Sequence, residues 1–187
     1  MSWAVLVFLN VFFVLSRRRS IKMVKSTLEY SFVGDDYPIE LPIVHNLDFV
    51  TMRIQDSSHY ALNKSDQVAG FEWDTLTTNP LGFGRVKMGP KRRLLTATFF
   101  HQMHCIREMA HAAMDHNDRW ATRGHVAHCL SYLRQSLLCD ADYKLELGNF
   151  MDGGFEAGGE GEARVCRDWE TVFRHMGQLI EEDYGNK

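Results

Sequence analysis

Apolar side chains recur every three or four positions near the C-terminus of the chain, and this period predicts an amphipathic helix. The residues of its apolar stripe are Trp169, Val172, Phe173, Met176, Leu179 and Ile180. Such a stripe covers one face of a helix, which packs on a core while the opposite face meets water. His175 lies off the stripe and needs no function to explain it.

Two further helices are predicted in the middle of the chain. The first runs from Leu94 to about Met114, a stretch without glycine or proline that follows the break at Gly89-Pro90. The second runs from His125 to about Cys139. Its predicted core stripe is Val126, Leu130, Leu133 and Leu137. The predicted fold class is therefore mainly α, a compact helical domain with two long central helices.

The N-terminal half of this domain carries weaker patterns. Apolar runs at Leu47–Ile54 and Tyr60–Leu62 predict short strands or irregular packing, and Phe71-Glu72-Trp73 predicts one or two helical turns. Asn79-Pro80 and the glycines after it end that segment. Residues 152–163 hold five glycines and three glutamates, which is typical of a flexible acidic surface loop.

The chain is predicted to consist of a short hydrophobic segment at residues 1–16, a linker at 17–40 and a single domain at 41–187. As a helix, the apolar run at 2–15 would be about 21 Å long, against roughly 30 Å for the hydrocarbon core of a bilayer. Three arginines follow it, which favours a cytoplasmic location for what comes after. We interpret the segment as part of a membrane anchor with an incomplete start. A peripheral or buried helix is the alternative.

Composition narrows the range of functions. Of 187 residues, 21 are Lys or Arg and 24 are Asp or Glu, which gives a net charge of −3 with histidine neutral. A nucleic-acid binder would show a basic face, so no nucleic-acid partner is expected. Four cysteines are too few for a disulfide scaffold, although their number is even. Asn63-Lys64-Ser65 is a glycosylation sequon, which has meaning only in a secretory lumen.

One five-residue pattern, H-x-x-H-C, occurs twice, 24 residues apart: His101-Gln-Met-His104-Cys105 and His125-Val-Ala-His128-Cys129. Positions i, i+3 and i+4 share one face of a helix, so each copy offers two imidazoles and a sulfur within a wedge of about 100°. A single helical histidine is more often a core or surface residue, but here chance must repeat three residues at fixed spacing. We therefore predict a metal bound by the four histidines, with Cys105 and Cys129 as further ligands.

Two familiar zinc motifs do not fit this pattern. A zinc finger needs two closely spaced cysteines, and the H-E-x-x-H motif needs a glutamate between its histidines. His111 lies seven residues after His104 and shares its stripe. It is a candidate additional ligand or a partner of one.

These residues resemble the UstYa-type oxidases of fungal secondary metabolism. The resemblance rests on the doubled H-x-x-H-C and on the run that follows its second copy, Leu-Ser-Tyr-Leu-Arg134-Gln135-Ser-Leu-Leu-Cys139-Asp140. Val165-Cys166-Arg167-Asp168-Trp169 and Phe71-Glu72-Trp73 are similar to further features of the family. The likeness covers roughly residues 28–180, and the doubled motif is its most specific part.

The resemblance implies oxidative tailoring of a natural product, often peptide-derived, by cyclisation, hydroxylation, dehydrogenation or halogenation. It also implies one or two copper ions, dioxygen as co-substrate, and His101, His104, His125 and His128 as the catalytic ligands. Imidazole and thiolate suit copper, and zinc, which has no redox change, is the alternative metal. Family members usually carry one N-terminal transmembrane helix and a lumenal domain. This chain departs there, because its apolar segment is short and arginines follow it. The expected location is a secretory-pathway membrane with a lumenal domain, and a cytoplasmic location is the alternative.

An oxidising lumen would allow disulfides instead of metal ligation by the cysteines. The four cysteines, Cys105, Cys129, Cys139 and Cys166, can pair in three ways, and the sequence does not choose among them. We predict at least one intramolecular pair.

The spacing of the two motifs raises a geometric question. In a simple antiparallel hairpin that turns near Trp120, His128 would lie level with about Ala112, and the motifs would be offset by about 12 Å. A shared site would then need a crossing angle, an early end of the first helix, or a second subunit of this chain or a related oxidase. Two mononuclear sites are equally open.

Three functions therefore compete. The first is a copper-dependent oxidase, and the second is a non-catalytic, metal-stabilised partner of a biosynthetic enzyme. The third is a helical interaction domain whose histidines and cysteines belong to its core.

Overall fold

A computed structural model describes residues 30–41, 47–55, 57–144 and 160–185, and contacts divide the chain into two units, Met1–Ile39 and Glu40–Lys187. In the first unit the described residues form a turn, in which the backbone N–H and hydroxyl of Ser31 both donate to the carboxylate of Asp36, at 3.0 and 2.7 Å. The apolar segment at 1–16 and most of the linker lie outside the described residues. Among the described helices, none combines the length and the apolar character needed to cross a bilayer.

Helices dominate the described part of the second unit, and the predicted mainly α class is confirmed. In chain order its elements are β1 (Phe49–Gln55), α1 (Gln67–Thr78), β2 (Arg85–Met88), β3 (Arg93–Thr96), α2 (Thr98–Met114), α3 (Arg123–Cys139), β4 (Glu160–Arg167) and α4 (Trp169–Gly185). The helix α1, which contains Phe71-Glu72-Trp73, is longer than the one or two turns predicted, because it already begins after the capping residue Asp66. The carboxylate of Asp66 accepts the N–H groups of Val68 and Ala69.

The strand β1 coincides with the predicted run Leu47–Ile54, whereas Tyr60–Leu62 has the irregular structure that was the other expectation. The partner of β1 corrects another prediction. β1 and β4 pair antiparallel, with Phe49 opposite Arg167 and Gln55 opposite Glu160. The acidic loop predicted at 152–163 is therefore wrong for residues 160–163, which belong to β4; residues 152–159 lie outside the described residues. Ladder hydrogen bonds join backbone groups, so even a sequence of glycine and glutamate can form a strand when a partner strand is present.

The predicted start of the first long helix at Leu94 is also wrong. Residues 93–96 form β3, which pairs antiparallel with β2 so that Val86 faces Leu95. Leu94 is exposed and Leu95 is half-buried, which is the alternation of a strand rather than the period of a helix. The helix α2 begins only after Ala97.

The core joins the β2–β3 hairpin, the start of α2 and the apolar face of α4. Its buried residues are Val86, Phe100, Met176 and Ile180. The rings of Phe100 and Phe173 pack with their centres 4.9 Å apart. Gly84 permits this packing, because its φ is +63° and a Cβ there would fall 2.0 Å from the Cβ of Phe100. The predicted amphipathic C-terminal helix is thus confirmed.

The predicted core stripe of α3 is wrong. Leu130 is 54% exposed and Leu137 is 72% exposed, whereas Cys129 is fully buried. The helix α3 packs on α2 through the face that carries the second H-x-x-H-C. Leu130 and Leu137 therefore turn toward solvent, whereas Val126 and Leu133 of the predicted stripe are half-buried. Periodicity finds an apolar face but does not identify which face meets a neighbour. Among the described residues, α3 contributes none to the apolar core that α2 and α4 share.

Candidate metal centre

The two H-x-x-H-C copies face each other across the antiparallel pair α2 and α3. The Nε2 atoms of His104 and His125 are 3.3 Å apart. The rings of His101 and His128 stack with centres 5.7 Å apart. The offset of about 12 Å that a simple hairpin would impose is therefore wrong, and one protomer brings together histidines from both copies.

The connection between the helices accounts for this register. With His104 beside His125, the first residue of α3 lies level with about residue 106–108, and α2 continues for about 9–12 Å beyond that level. Residues 115–122 must return along this overhang, which they do in consecutive side-chain-capped turns. The carboxylate of Asp118 accepts the N–H groups of Trp120 and Ala121, both at 2.7 Å. Thr122 then caps α3 by accepting the N–H of His125.

The His104–His125 pair has the geometry of two ligands to one ion. The Nδ1–H of His125 donates to the carbonyl of Trp120 at 2.9 Å, which leaves its Nε2 with a free lone pair. Two nitrogens bound at about 2.0 Å to a tetrahedral ion are separated by about 3.3 Å. The observed Nε2–Nε2 distance is also 3.3 Å. Two lone pairs this close repel each other unless a proton or a cation lies between them.

His101 and His128 lie one turn further along the two helices and form a more open layer. The ring of His101 packs against Tyr132 with centres 4.1 Å apart and lies 6.3 Å from the ring of His104. His128 is exposed. Exposure to solvent therefore increases from the half-buried pair His104 and His125 toward His128, and solvent or a substrate can reach the site from that side.

Burial lowers the pKa of His101 and of His104, which favours the neutral form that binds metals. Desolvation lowers the pKa of His104 most, although the nearby carboxylate of Glu108 opposes this. Desolvation also lowers the pKa of His101, with the neighbouring His128 and His125 adding to the effect. A neutral imidazole has a nitrogen lone pair to donate, whereas an imidazolium has none.

Glu108 is a residue of this site that motif reasoning missed. It is 2% exposed and lies one turn after His104 on α2. Its Oε1 is 3.7 Å from Nδ1 of His104, and its Oε2 is 3.5 Å from Nδ1 of His125. Its position, four residues after His104 and seven after His101, is a signal that could have found it, because those spacings share one helix face.

His111, the candidate additional ligand, is directed away from the motif histidines. Its Nε2 lies 3.2 Å from Oδ1 of Asp74 on α1. Arg107 donates to the same carboxylate oxygen through two nitrogens, at 2.8 and 2.6 Å. His111 therefore helps to join α1 to α2, and its prediction as a ligand is wrong for this arrangement.

The donor set matches a metal that accepts imidazole nitrogen, but it is not a closed site. Among the described residues, no three His, Cys, Asp or Glu side chains converge on one point. His104 and His125 meet the ligand spacing. The remaining coordination positions would be left to His101, His128, water or a bound molecule.

The cysteines of the two motifs meet each other. Cys105 and Cys129 are fully buried, and their thiols lie close enough to interact with each other. Burial raises the pKa of Cys105 to about 12 and also raises the pKa of Cys129. A protonated thiol is a poor metal ligand, so burial works against thiolate ligation at this position. Cys139 is exposed and Cys166 is half-buried, and all four are free thiols in the structure.

The proximity of these two thiols favours a Cys105–Cys129 bond over any other pair. We predict that protein made in an oxidising compartment forms a Cys105–Cys129 disulfide and leaves Cys139 and Cys166 alkylatable. Such a bond closes a loop of about 25 residues, for which chain entropy predicts about 3.5 kcal/mol of stabilisation. Peptide mapping without reduction, and denaturant unfolding with and without reductant, measure both quantities. Four alkylatable thiols in the oxidised preparation would contradict the prediction.

Two of the weaker family-like segments, Phe71-Glu72-Trp73 and Val165-Cys166-Arg167-Asp168-Trp169, make hydrogen bonds that join or cap elements of the fold. Glu72 holds the preceding segment to α1: its carboxylate contacts the His59 ring and accepts the N–H of Tyr60 at 2.7 Å. Trp73 donates its indole N–H to the carbonyl of Ala61 at 3.1 Å. Asp168 caps α4 by accepting the N–H and hydroxyl of Thr171, and these hydrogen bonds lower the pKa of Asp168.

The glycosylation candidate lies in an exposed turn. The side chain of Asn63 accepts the N–H of Ser65 at 3.0 Å, and the residue is exposed. Its modification stays a prediction.

Comparison with known proteins assigns the chain to a family. The family model "Mycotoxin biosynthesis protein UstYa" matches residues 84–178, which is just over half of the chain and includes both H-x-x-H-C copies. The chain belongs to the UstYa family. No solved structure matches it.

Several UstYa relatives carry names that describe oxidative reactions. The chain is 36% identical over 87 residues to the UstYa family oxidase phomYb of Diaporthe leptostromiformis, covering 45% of this chain and 34% of the relative. It is 34% identical over 88 residues to the oxidase ustYa of Aspergillus flavus, covering 46% and 41%. It is 34% identical over 79 residues to the hydroxylase cctR of Talaromyces islandicus, covering 39% and 29%. The chain thus spans less than half the length of these relatives.

Proposed function

We propose that this UstYa-family chain is a copper-dependent oxidase that tailors a fungal secondary metabolite of peptide origin and uses dioxygen as the oxidant. The observation that carries the proposal is the 3.3 Å separation of the Nε2 atoms of His104 and His125. These two atoms come from different copies of the motif and have the spacing of ligands to one ion. Relatives named oxidase, hydroxylase and chlorinase support an oxidative reaction, because hydroxylation and chlorination each oxidise a carbon centre.

His104 and His125 would be the primary ligands, and His101 and His128 would complete the site or hold a second ion. The chemistry that copper supplies when bound is electron exchange between a substrate and dioxygen, which zinc does not offer. In this proposal the chain contributes the positions of the imidazoles. The Trp120 carbonyl orients His125, and the packing of Tyr132 against His101 restrains that ring.

The substrate would approach from the side of His101 and His128. His128 is exposed and the rings of the inner pair are half-buried, so this is the more accessible side of the proposed site. A second subunit, either another copy of this chain or a related oxidase, would contribute ligands at the coordination positions that the chain itself leaves open. The leucines of α3 that face solvent lie on the same helix as the second motif.

The test compares one preparation loaded with different metals. Apo-protein is loaded with Cu(II) or Zn(II), and metal content, dioxygen uptake and product formation from a candidate peptide are measured. We expect stoichiometric copper and turnover in the copper form alone. Equal turnover of the zinc form would overturn the redox mechanism. Stoichiometric metal without turnover by either form would favour the non-catalytic partner function, and failure to bind either metal would favour the helical interaction domain.

A further inference from the structure

We propose that Glu108 is a positioning residue that holds His104 and His125 with their Nε2 atoms turned toward a shared cation. The inference rests on the proposed function, since it concerns how the chain prepares the same pair of ligands. It starts from one carboxylate group placed between two helices. Oε1 faces Nδ1 of His104 at 3.7 Å, and Oε2 faces Nδ1 of His125 at 3.5 Å.

The side of the rings that Glu108 faces decides its role. Both contacts are to Nδ1, whereas the Nε2 atoms face each other at 3.3 Å on the opposite edges of the rings. A carboxylate on the Nδ1 edge favours the tautomer with hydrogen on Nδ1 and a lone pair on Nε2. Metal-binding histidines commonly donate the N–H of their second ring nitrogen to a carboxylate or a carbonyl. His125 donates its Nδ1–H to the carbonyl of Trp120, and the negative charge of Glu108 lies 3.5 Å from the same nitrogen without a hydrogen bond to it.

The charges around Glu108 also call for a cation. Its Oε1 accepts a hydrogen bond from Arg107, but Arg107 is shared with the carboxylate of Asp74. Arg107 therefore contacts Oε1 of Glu108 and leaves Oε2 uncompensated. A buried carboxylate is costly unless it is compensated. Oε2 is buried and has no hydrogen-bond partner among the described residues.

A purely structural role for Glu108 is the competing explanation. In that case the carboxylate would serve only to anchor Arg107 and thereby join α1 to α2. Asp74 provides the matched comparison, because it carries the same charge and contacts the same Arg107. Its carboxylate contacts Arg107 and His111 rather than the motif histidines.

The experiment measures copper itself rather than turnover. Glu108→Gln keeps the size of the side chain and removes its charge, and Asp74→Asn does the same on the other side of Arg107. Cu(II) affinity is measured by competition with a chelator, and the copper site is examined by electron paramagnetic resonance. We expect Glu108→Gln to lower the affinity by about 10- to 100-fold, the usual cost of losing a carboxylate partner of a ligating histidine. The hyperfine splitting of the copper bound to Glu108→Gln should differ from that in the parent protein. Asp74→Asn should keep the affinity and the spectrum of the parent protein.

The outcomes separate this inference from the proposed function. If the parent protein binds no copper, the proposed function fails. If the parent protein binds copper and Glu108→Gln binds it equally well with the same spectrum, the function survives and the inference is overturned. Equal losses in Glu108→Gln and Asp74→Asn would assign Glu108 to the anchoring of Arg107 and overturn it too. Unfolding of Glu108→Gln without copper would likewise assign the residue to the fold.

Discussion

Replacing His104 by alanine is expected to abolish copper binding and turnover while the fold persists. His104 supplies one of the two nitrogens at ligand spacing, and about a third of its side chain is exposed, so its loss leaves no large cavity. We expect a decrease in copper affinity beyond the roughly 10- to 100-fold that loss of an outer partner costs. His125→Ala should behave alike, and the double variant should be no worse than either single change, because residues that act as a unit fail together. Copper-to-protein ratio, product formation and circular dichroism are measured for each variant.

Two histidines outside the pair provide controls for this result. His111→Ala tests a histidine on the same helix whose ring faces Asp74, and it should retain copper. His175→Ala, on α4, should retain both copper and activity. If His104→Ala kept full copper occupancy, or if His111→Ala lost it, the assignment of ligands would be wrong.

Replacing Phe100 by alanine is expected to lower the free energy of unfolding by about 3–5 kcal/mol. Phe100 is 1% exposed and sits between the β2–β3 hairpin and α4, where its ring packs against Phe173. Removing the ring leaves a cavity that these neighbours cannot fill, since Phe100 also lies directly against Gly84. A loss of this size is a large share of the 5–15 kcal/mol that stabilises a typical domain.

Leu137→Ala is the matched control for the core. The side chain is apolar but 72% exposed on α3, so its removal should change stability by no more than about 0.5 kcal/mol. Urea unfolding followed by circular dichroism measures both variants against the parent protein. A large loss for Leu137→Ala would mean that the outer face of α3 is covered in solution, and a small loss for Phe100→Ala would contradict the described core.

Local patterns predicted the helices well where their apolar face really met the core. The stripe of α4 ends in Met176 and Ile180, both buried, because an amphipathic period and a neighbouring apolar surface agree there. The same reasoning failed at α3, where Leu130 and Leu137 are exposed. It also failed at residues 93–96 and 160–163, since strand pairing depends on partner segments that are distant in sequence or lie across a turn.

By itself the sequence determined the fold class, the approximate extents of the long helices, and the alignment of each histidine pair with a cysteine on one helix face. All of these depend on the period of the α-helix, which is a local property. The tertiary structure alone decided that His104 meets His125, that Cys105 meets Cys129, and that the buried Glu108 lies behind both rings. These contacts follow from the register between α2 and α3, which the capped turns at 115–122 set by carrying the chain back along α2. No local period encodes that distance, so the shared site is a property of the packed helices.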